Sequence, residues 1–552
     1  MFQFLTRRLL AAAATLLALV VIAFAVLKLA PGGPFDLKPS ASPASLAQVQ
    51  RSFHHDQPLY AQFGHYLGGV VHLDFGPSFG FRDHDVADLL FRGASITIEI
   101  VCWALAIAVA AGIPLGALTA RIRGSLLDQA LLVLGVIGLA VPIFVLTPVL
   151  QLVFAIGLNW LPVAGWDGGW VHKILPVATL VVPLTAVVAR LVRGSIRDAA
   201  PVGAGNGRER LKAGLAAILA RMGFLASGAL ILSVPLERAF ALPGTGRYLD
   251  QAGAHHDYPV LAGALIFYGG LVILAGLLGS LLVQLLGRDP AFPIGTEDDG
   301  RPVVSGIDTL PHIWRSLHGD RIALSAACAV LAAVALVLVV PALLSFSPDK
   351  ADYGAISVAP SWSAGHLLGT DDLGRDLLAE ALVGGRVSIL LTVAAASIAA
   401  LLLFVWRAAA ARGRPFRALG GLIDALPFLV LAIAFRAMAA TVVEIASLAW
   451  LILWLSHGDK RGIVLAISSA VPAAFTGEAY LSYFDIGARE PTLSLGGVLA
   501  NGLGDIDLAP WEVFGPVAVL LFIVVSLTLF VQRVRDAAVP GGYHGMVRSG
   551  AD

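Results

Sequence analysis

Apolar residues run along this chain in stretches far longer than a water-soluble core uses. Leu9–Ala30, Ile96–Ala120, Leu127–Leu158, Ile174–Leu191, Met222–Ala241 and Pro259–Leu286 are nearly free of charge. A polar, Gly- and Asp-rich stretch from Thr296 to Ser305 interrupts the pattern. Six more runs follow: Ile322–Leu344, Val387–Trp406, Leu419–Ala440, Val442–Leu455, Gly462–Tyr480 and Val513–Val531. A helix needs about 20 mostly apolar residues to cross hydrocarbon, which predicts an all-α, polytopic membrane protein of about 12 transmembrane helices. The run Val442–Leu455 is the shortest and the weakest span. Pro31-Gly32-Gly33-Pro34 stops the first helix. That first run is long for a cleaved leader and lacks a small-x-small cleavage site, so it reads as a retained span.

The pattern divides the chain into a first half, residues 1–294, and a second half, residues 321–540. Residues 295–320 supply a cytoplasmic linker with the start of the second half, and residues 541–552 a cytoplasmic tail. Loops that stay in the cytoplasm retain Lys and Arg. With the N-terminus inside, the inner segments collect Arg121 and Arg123, Arg193 to Arg221, Arg288, Arg315 and Arg321, then Arg407 to Arg417, Lys460, Arg461, Arg533, Arg535 and Arg548. Both termini are therefore expected in the cytoplasm. The halves also echo each other in sequence. Ser95-Ile96 opens the second span of the first half, followed by Arg121, Arg123 and Ala140-Val141-Pro142-Ile143-Phe144-Val145. Ser388-Ile389 opens its counterpart, followed by Arg412, Arg414 and Ala425-Leu426-Pro427-Phe428-Leu429-Val430. Two like halves in the same orientation form a parallel repeat with a pathway between them, an arrangement suited to transport.

Composition agrees. The chain is 58% hydrophobic and 13% charged, with 37 basic and 37 acidic residues and mean hydropathy +0.83. Soluble domains carry roughly 25% charge, so an ordinary soluble enzyme is excluded. Zero net charge excludes a nucleic-acid-coating protein. Cys102 and Cys328, the two cysteines, lie in apolar runs and read as small buried hydrophobes.

Catalytic patterns are sparse. There is no HExxH, and no Gly-Lys dipeptide from which a P-loop is built. Gly76-Pro77-Ser78-Phe79-Gly80 matches GxSxG, but a hydrolase elbow sits between a strand and a helix, and this stretch lies in a polar outer loop, where a turn is the better reading. His54, His55, His65, His72 and His84, and separately His255 and His256, alternate with aspartates outside. Without a repeated ligand spacing they read as loop polarity, and no metal site is assigned. Gly203, Gly205 and Gly207 read as a cytoplasmic turn. Ionisable groups inside spans need a reason. Glu99, Arg190, Glu237, Arg436, Glu444 and Glu478 are the candidates for lining a polar translocation path, against interfacial snorkelling or structural pairing.

These residues resemble a family. The first half is similar to one of the two permease subunits of dipeptide/oligopeptide ABC importers, through Phe4-Leu5-Thr6-Arg7-Arg8-Leu9, Leu29-Ala30-Pro31-Gly32-Gly33-Pro34, Asp56-Gln57-Pro58-Leu59-Tyr60 and Asp74-Phe75-Gly76-Pro77-Ser78. Trp160-Leu161-Pro162-Val163-Ala164-Gly165, Glu237, Phe240, Pro243-Gly244-Thr245-Gly246-Arg247 and Asp257-Tyr258-Pro259 continue the likeness. The second half resembles the partner subunit, most specifically through Leu368-Gly369-Thr370-Asp371-Asp372-Leu373-Gly374-Arg375-Asp376. The resemblance implies a type I ABC importer permease with both subunits fused. It translocates peptides or a related small solute across the bacterial inner membrane and is not itself an enzyme. It implies two ABC ATPase subunits that hold the ATP, an extracytoplasmic solute-binding protein, a lipid bilayer around the chain, and neither a cofactor nor a nucleic-acid partner for the chain itself.

The family's inner loop between fourth and fifth spans carries a short helix that docks into the ATPase. Here the first loop is shortened, and Arg208, Arg210, Leu211, Lys212 and Gly214, within an amphipathic stretch 208–221, are the candidate coupling residues. The second loop is only Ser456 to Gly462, too short for a docking helix, leaving Asp459, Lys460 and Arg461 as candidates. The short loops leave open an ATP-independent carrier or channel, and a membrane scaffold that no longer transports.

Overall fold

The computed structural model describes residues 2–29, 57–81, 84–122, 135, 138, 141–166, 169–198, 207–255, 257–285, 317–318, 320–344, 352–362, 365–410, 440–456, 463–484, 494–503, 506 and 508–537. Among these, the regular elements are helices and the only β features are isolated bridges in loops. This follows from the composition: in hydrocarbon a backbone satisfies its own N–H and C=O groups only by coiling into a helix or closing a barrel.

In the first half, α1 spans Phe2–Leu29, α2 Leu59–Val71 and α3 Val86–Arg121; α4 spans Ile143–Leu150 and runs into a π-helical turn at Gln151–Gly157. Then come α5 (Trp170–Asp198), α6 (Gly207–Ala220), α7 (Met222–Ala239), α8 (Thr245–His255) and α9 (Tyr258–Leu285). The second half contributes α10 (Arg321–Leu344), α11 (Leu377–Ala410), α12 (Ala440–Ser456), α13 (Ile463–Tyr483), α14 (Leu495–Gly502) and α15 (Trp511–Ala537). With 36 and 34 residues, α3 and α11 outrun their apolar cores. At a rise of about 1.5 Å per residue each exceeds the roughly 30 Å of hydrocarbon, so both project beyond the membrane.

Eight helices among the described residues are long and apolar enough to cross a membrane: α1, α3, α5, α7, α9, α10, α11 and α15. Twelve such helices are not found among the described residues. The third predicted span is described only in part, as the short apolar stretch Ile143–Gly157, and α12 offers only the short stretch Glu444–Leu453. The ninth predicted span, Leu419–Ala440, lies outside the described residues but for its last position. Residues 286–316, with most of the expected linker, lie outside them too.

The same helix pairs pack in both halves. The first span lies on the sixth (α1 on α9, α10 on α15), and the second on the fourth (α3 on α5, α11 on α12). The second also lies on the fifth (α3 on α7, α11 on α13). The short helix after the fifth span touches the second, fifth and sixth in each half: α8 on α3, α7 and α9, and α14 on α11, α13 and α15. The parallel repeat read from sequence echoes is thus repeated in the packing.

Two compact units result. One gathers the described residues of 1–139 and 149–292, and the other those of 140–148 together with those after 292. The start of α4, though encoded in the first half, therefore belongs to the second unit. There Phe144 is fully buried, with its ring 5.9 Å from Tyr480 and 5.4 Å from Tyr483.

Close approach in the first unit depends on small residues, since lipid tails compete with apolar side chains and packing must supply the association. A Cβ at Gly116 of α3 would lie 2.5 Å from the carbonyl oxygen of Ala189, and one at Gly112 would lie 2.6 Å from Val188 Cγ1, both on α5. The outer faces remain apolar: Leu331, Leu343, Leu401 and Phe404 are all more than half exposed. Cys102 and Cys328 are exposed as well, correcting the expectation that they are buried. In a membrane-crossing helix an apolar run faces lipid as readily as protein, so apolarity no longer signals interior position.

Gly116→Val is expected to lower stability by about 1–3 kcal/mol through overpacking between α3 and α5. Gly64→Ala, where an added Cβ meets nothing within 4 Å, is the control. Thermal midpoints in detergent micelles check this; equal midpoints for both variants would refute the close packing.

Candidate functional site

Polar groups buried between the spans mark where this scaffold is specialised. Glu237, near the end of α7, is fully buried. Its Oε1 accepts a hydrogen bond from Thr97 Oγ1 of α3 at 2.7 Å, and its Oε2 accepts from the Gly246 N–H of α8 at 2.7 Å. Thr97 Oγ1 in turn accepts from the Thr245 N–H at 3.0 Å. Three helices thus converge on one carboxyl group.

In the second half, Glu478 of α13 and Glu444 of α12 are likewise fully buried. The Ser482 hydroxyl lies 3.1 Å from Glu478 Oε1 and 3.2 Å from Glu444 Oε1. A hydroxyl has one proton to donate. Ser388 Oγ of α11 accepts from the Leu495 N–H at the start of α14, at 3.4 Å. The sequence reading named Glu237, Glu444 and Glu478 separately; the structure joins the last two and ties each to hydroxyls that reading had passed over. Such partners show no sequence periodicity, because they come from helices remote in the chain.

The remaining candidates fall elsewhere. Glu99 of α3 pairs with Lys173 of α5, whose ammonium also lies 5.0 Å and 5.4 Å from the ring centres of Trp166 and Trp170. Arg190 is exposed on α5. Arg436, Asp459, Lys460 and Arg461 lie outside the described residues. The stretch 208–221 does form a helix, α6, from Gly207 to Ala220, which places Arg208, Arg210, Leu211, Lys212 and Gly214 on one short rod. Its apolar side is seated on α5: Ile218 joins Val188, Val192 and Leu225 in a buried cluster, and a Cβ at Gly214 would rest 3.4 Å from Val192. Next to the other connection, the buried Ser456 at the end of α12 donates to the Ala466 carbonyl of α13 at 3.1 Å.

The outer loops are built rather than slack. Buried Asp257 precedes α9 and accepts from the Ser78 hydroxyl and, at 2.8 Å, from the Gly80 N–H. Ser78 Oγ also accepts from the Phe81 N–H at 2.9 Å. The GxSxG serine is therefore a loop fastener, with an isolated bridge from Pro77 to Asp85 where an elbow would need a strand and a helix. Among the described residues, no three of His, Cys, Asp and Glu converge as a metal site would require. In the second half, Arg375 Nε lies 2.6 Å from Asp371 and 3.0 Å from Glu380, with all three side chains largely buried. Asp376 caps α11 through the N–H groups of Leu378 and Ala379 and pairs with His366 at 2.8 Å. Gly369 and Gly374 take φ values of +84° and +75° that other residues rarely adopt. The string Leu368–Asp376 is thus one self-supporting loop.

Comparison with known proteins decides the family. A profile of the binding-protein-dependent transport system inner membrane component matches residues 112–203, and one of the N-terminal part of such membrane components matches residues 1–81. The oligopeptide transport system permease protein OppB of Haemophilus influenzae is 34% identical over 300 residues, covering 52% of this chain and 98% of that protein. The dipeptide transport system permease protein DppB of Bacillus subtilis is 33% identical over 299 residues, covering 52% and 97%. OppB of Escherichia coli is 33% identical over 285 residues, covering 49% and 93%.

The chain belongs to the binding-protein-dependent transport permeases. This permease is a multi-pass inner-membrane protein. About half of it spans nearly the whole of a relative, and the other half repeats the same helix packing. As a permease it works with an ATPase and a substrate-binding component.

Arg375→Ala leaves Asp371 and Glu380 facing each other without their shared cation. Breaking such a buried pair costs on the order of 3–5 kcal/mol. A fall in the thermal midpoint larger than that of Asp371→Asn/Arg375→Ala together is the expected result, read in a double-mutant cycle; strict additivity would refute the coupling.

Proposed function

We propose that this chain is a fused pair of permease halves that carries peptides, or a closely related small solute, across the inner membrane. Two separate ATPases supply the energy, an extracytoplasmic binding protein delivers the solute, and both termini face the cytoplasm. One observation carries the reading: a relative that transports oligopeptides is covered over 98% of its length by 52% of this chain, while the second half packs the same helix pairs. A transporter assembled from two such subunits needs both halves around one path, and fusion supplies them in fixed proportion.

The contact with the ATPase is assigned to α6. It is a 14-residue helix at the inner side of the fourth and fifth spans, and its apolar side is occupied by α5. Arg208, Arg210 and Lys212 then give this rod a basic end suited to an acidic cleft on the ATPase. The second half offers only residues 457–462 between α12 and α13, so engagement is asymmetric, with the first half taking most of the load.

Charge reversal of Arg208, Arg210 and Lys212 together to Glu is expected to lower ATPase capture by at least about tenfold, the loss of a few charge-assisted contacts. Co-purification of the full chain with its ATPases checks this, and undiminished capture would move the contact away from α6. In proteoliposomes holding the complex, uptake of a labelled dipeptide or oligopeptide is expected only with internal ATP and external binding protein. Uptake that persists without ATP would replace this reading with a passive carrier, and binding without uptake would leave a scaffold.

A further inference from the structure

In both halves the short helix after the fifth span is tied at its first N–H to a hydroxyl of the second span. In the first half, Glu237 accepts from Thr97 of the second span and from the Gly246 N–H, while Thr97 accepts from the Thr245 N–H. The first two N–H groups of α8, which no helical carbonyl can satisfy, are thereby taken up by the second and fifth spans. In the second half, the Leu495 N–H at the start of α14 is taken up by Ser388 of the second span, while Glu478 of the fifth span is fully buried and hydrogen-bonded to Ser482 of its own helix. By the N–H each receives, Thr97, rather than the Ser95 of the sequence echo, corresponds to Ser388, and α8 to α14.

The backbone is shaped for this closeness. A Cβ at Gly246 would lie 2.8 Å from Glu237 Oε2, a Cβ at Gly244 would strike the same carboxyl group, and a Cβ at Gly93 of α3 would lie 2.5 Å from the Thr245 nitrogen. In the second half a Cβ at Gly496 would strike the Ala479 carbonyl oxygen, next to Glu478. The turn from α7 into α8 is held at a cost, with Ala241 at φ 51°, a conformation that persists in a residue other than glycine only where its surroundings over-determine it. A carboxylate at a helix N-terminus also meets the positive end of the helix dipole. Neither glutamate is solvent-exposed, so neither is placed to touch a passing solute.

We propose that Glu237 is a positioning residue that fastens the short helix after the fifth span to the second span of the first half, that Ser388 does the same in the second half, and that transport requires this fastening rather than contact of the Glu237 carboxyl group with the solute. The transport clause rests on the permease reading; the fastening itself does not. The sequence echo alone does not reveal it, because the partners lie 140 residues apart in the first half.

The test uses the full chain in lipid nanodiscs, and its ATPase complex in proteoliposomes. Hydrogen exchange is followed at residues 245–250 and 495–500. Glu237→Ala is expected to speed exchange at Thr245 and Gly246 by at least about tenfold through local opening, with residues 495–500 unchanged; Ser388→Ala should do the converse, at Leu495. Glu237→Gln keeps an acceptor oxygen for the Gly246 N–H, and Thr97 can turn its hydroxyl hydrogen to the Gly93 carbonyl, already 3.3 Å away, so exchange should stay near wild type. Thr97→Val gives the first-half signature if Glu237→Ala does not fold. In the uptake assay, Glu237→Ala should lower kcat at least about fivefold while KM for the solute moves less than about twofold, since the lost interaction is not with bound solute. Unchanged exchange at 245–246 overturns the fastening. Raised exchange with unchanged kcat overturns its role in transport, and a rise in KM alone would instead make Glu237 a solute contact. Absence of ATP-dependent uptake in the wild type counts against the permease reading, and the exchange comparison then decides the fastening by itself.

Discussion

Hydrocarbon has no water to offer a polar group, and that constraint organises the whole chain. Each backbone N–H and C=O must find its partner inside the protein, which is why the described elements are helices. Each ionisable side chain that enters the apolar zone must bring its own partners. Glu237 obeys the rule with a hydroxyl and a helix-end N–H group, and Glu444 and Glu478 share the Ser482 hydroxyl. Glu99 obeys it with an ammonium set among tryptophans. The polar groups within the spans are consequently fixed points, and the helices are arranged so as to reach them.

Duplication gives these fixed points their meaning. The recurrence of helix pairs in both halves shows that the second half preserves the packing of the first, although their sequences agree only in short echoes. What has diverged is the connection between the fourth and fifth spans: a 14-residue helix in the first half and a few residues between Ser456 and Ile463 in the second. Packing inside the membrane is constrained on every face of a helix, whereas a loop in water is constrained only by what it binds. A change in length there therefore costs the fold little.

Much of this was legible in the sequence because the strongest signals were local. Apolar runs marked the spans, and the string Leu368–Asp376 marked a loop whose Gly369, Asp371 and Gly374 each have a stereochemical duty. Other features depended on tertiary partners and were invisible. The third span of the first half looked continuous, yet it carries a π-helical turn, and buried Gln151 donates to the carbonyls of Val163 and Ala239. The cysteines looked buried because apolar sequence cannot distinguish lipid from protein as its neighbour. The glutamates stand out in the sequence as costly, but what Glu237 is bonded to depends on residues up to 140 positions away.

Phe144 connects the architecture to the making of the chain. It is encoded early but completes an aromatic cluster with Tyr480 and Tyr483, which are encoded near the end. At about 5–20 residues per second, translation from one to the other takes roughly 20–70 s. For that interval an aromatic ring meant for a protein interior faces lipid or a helper protein. Its burial comes only when the later helix arrives. In a two-subunit transporter that wait is set by the concentration of the partner; in a fused chain it is set by the ribosome alone, so one half is never left unfinished for want of the other.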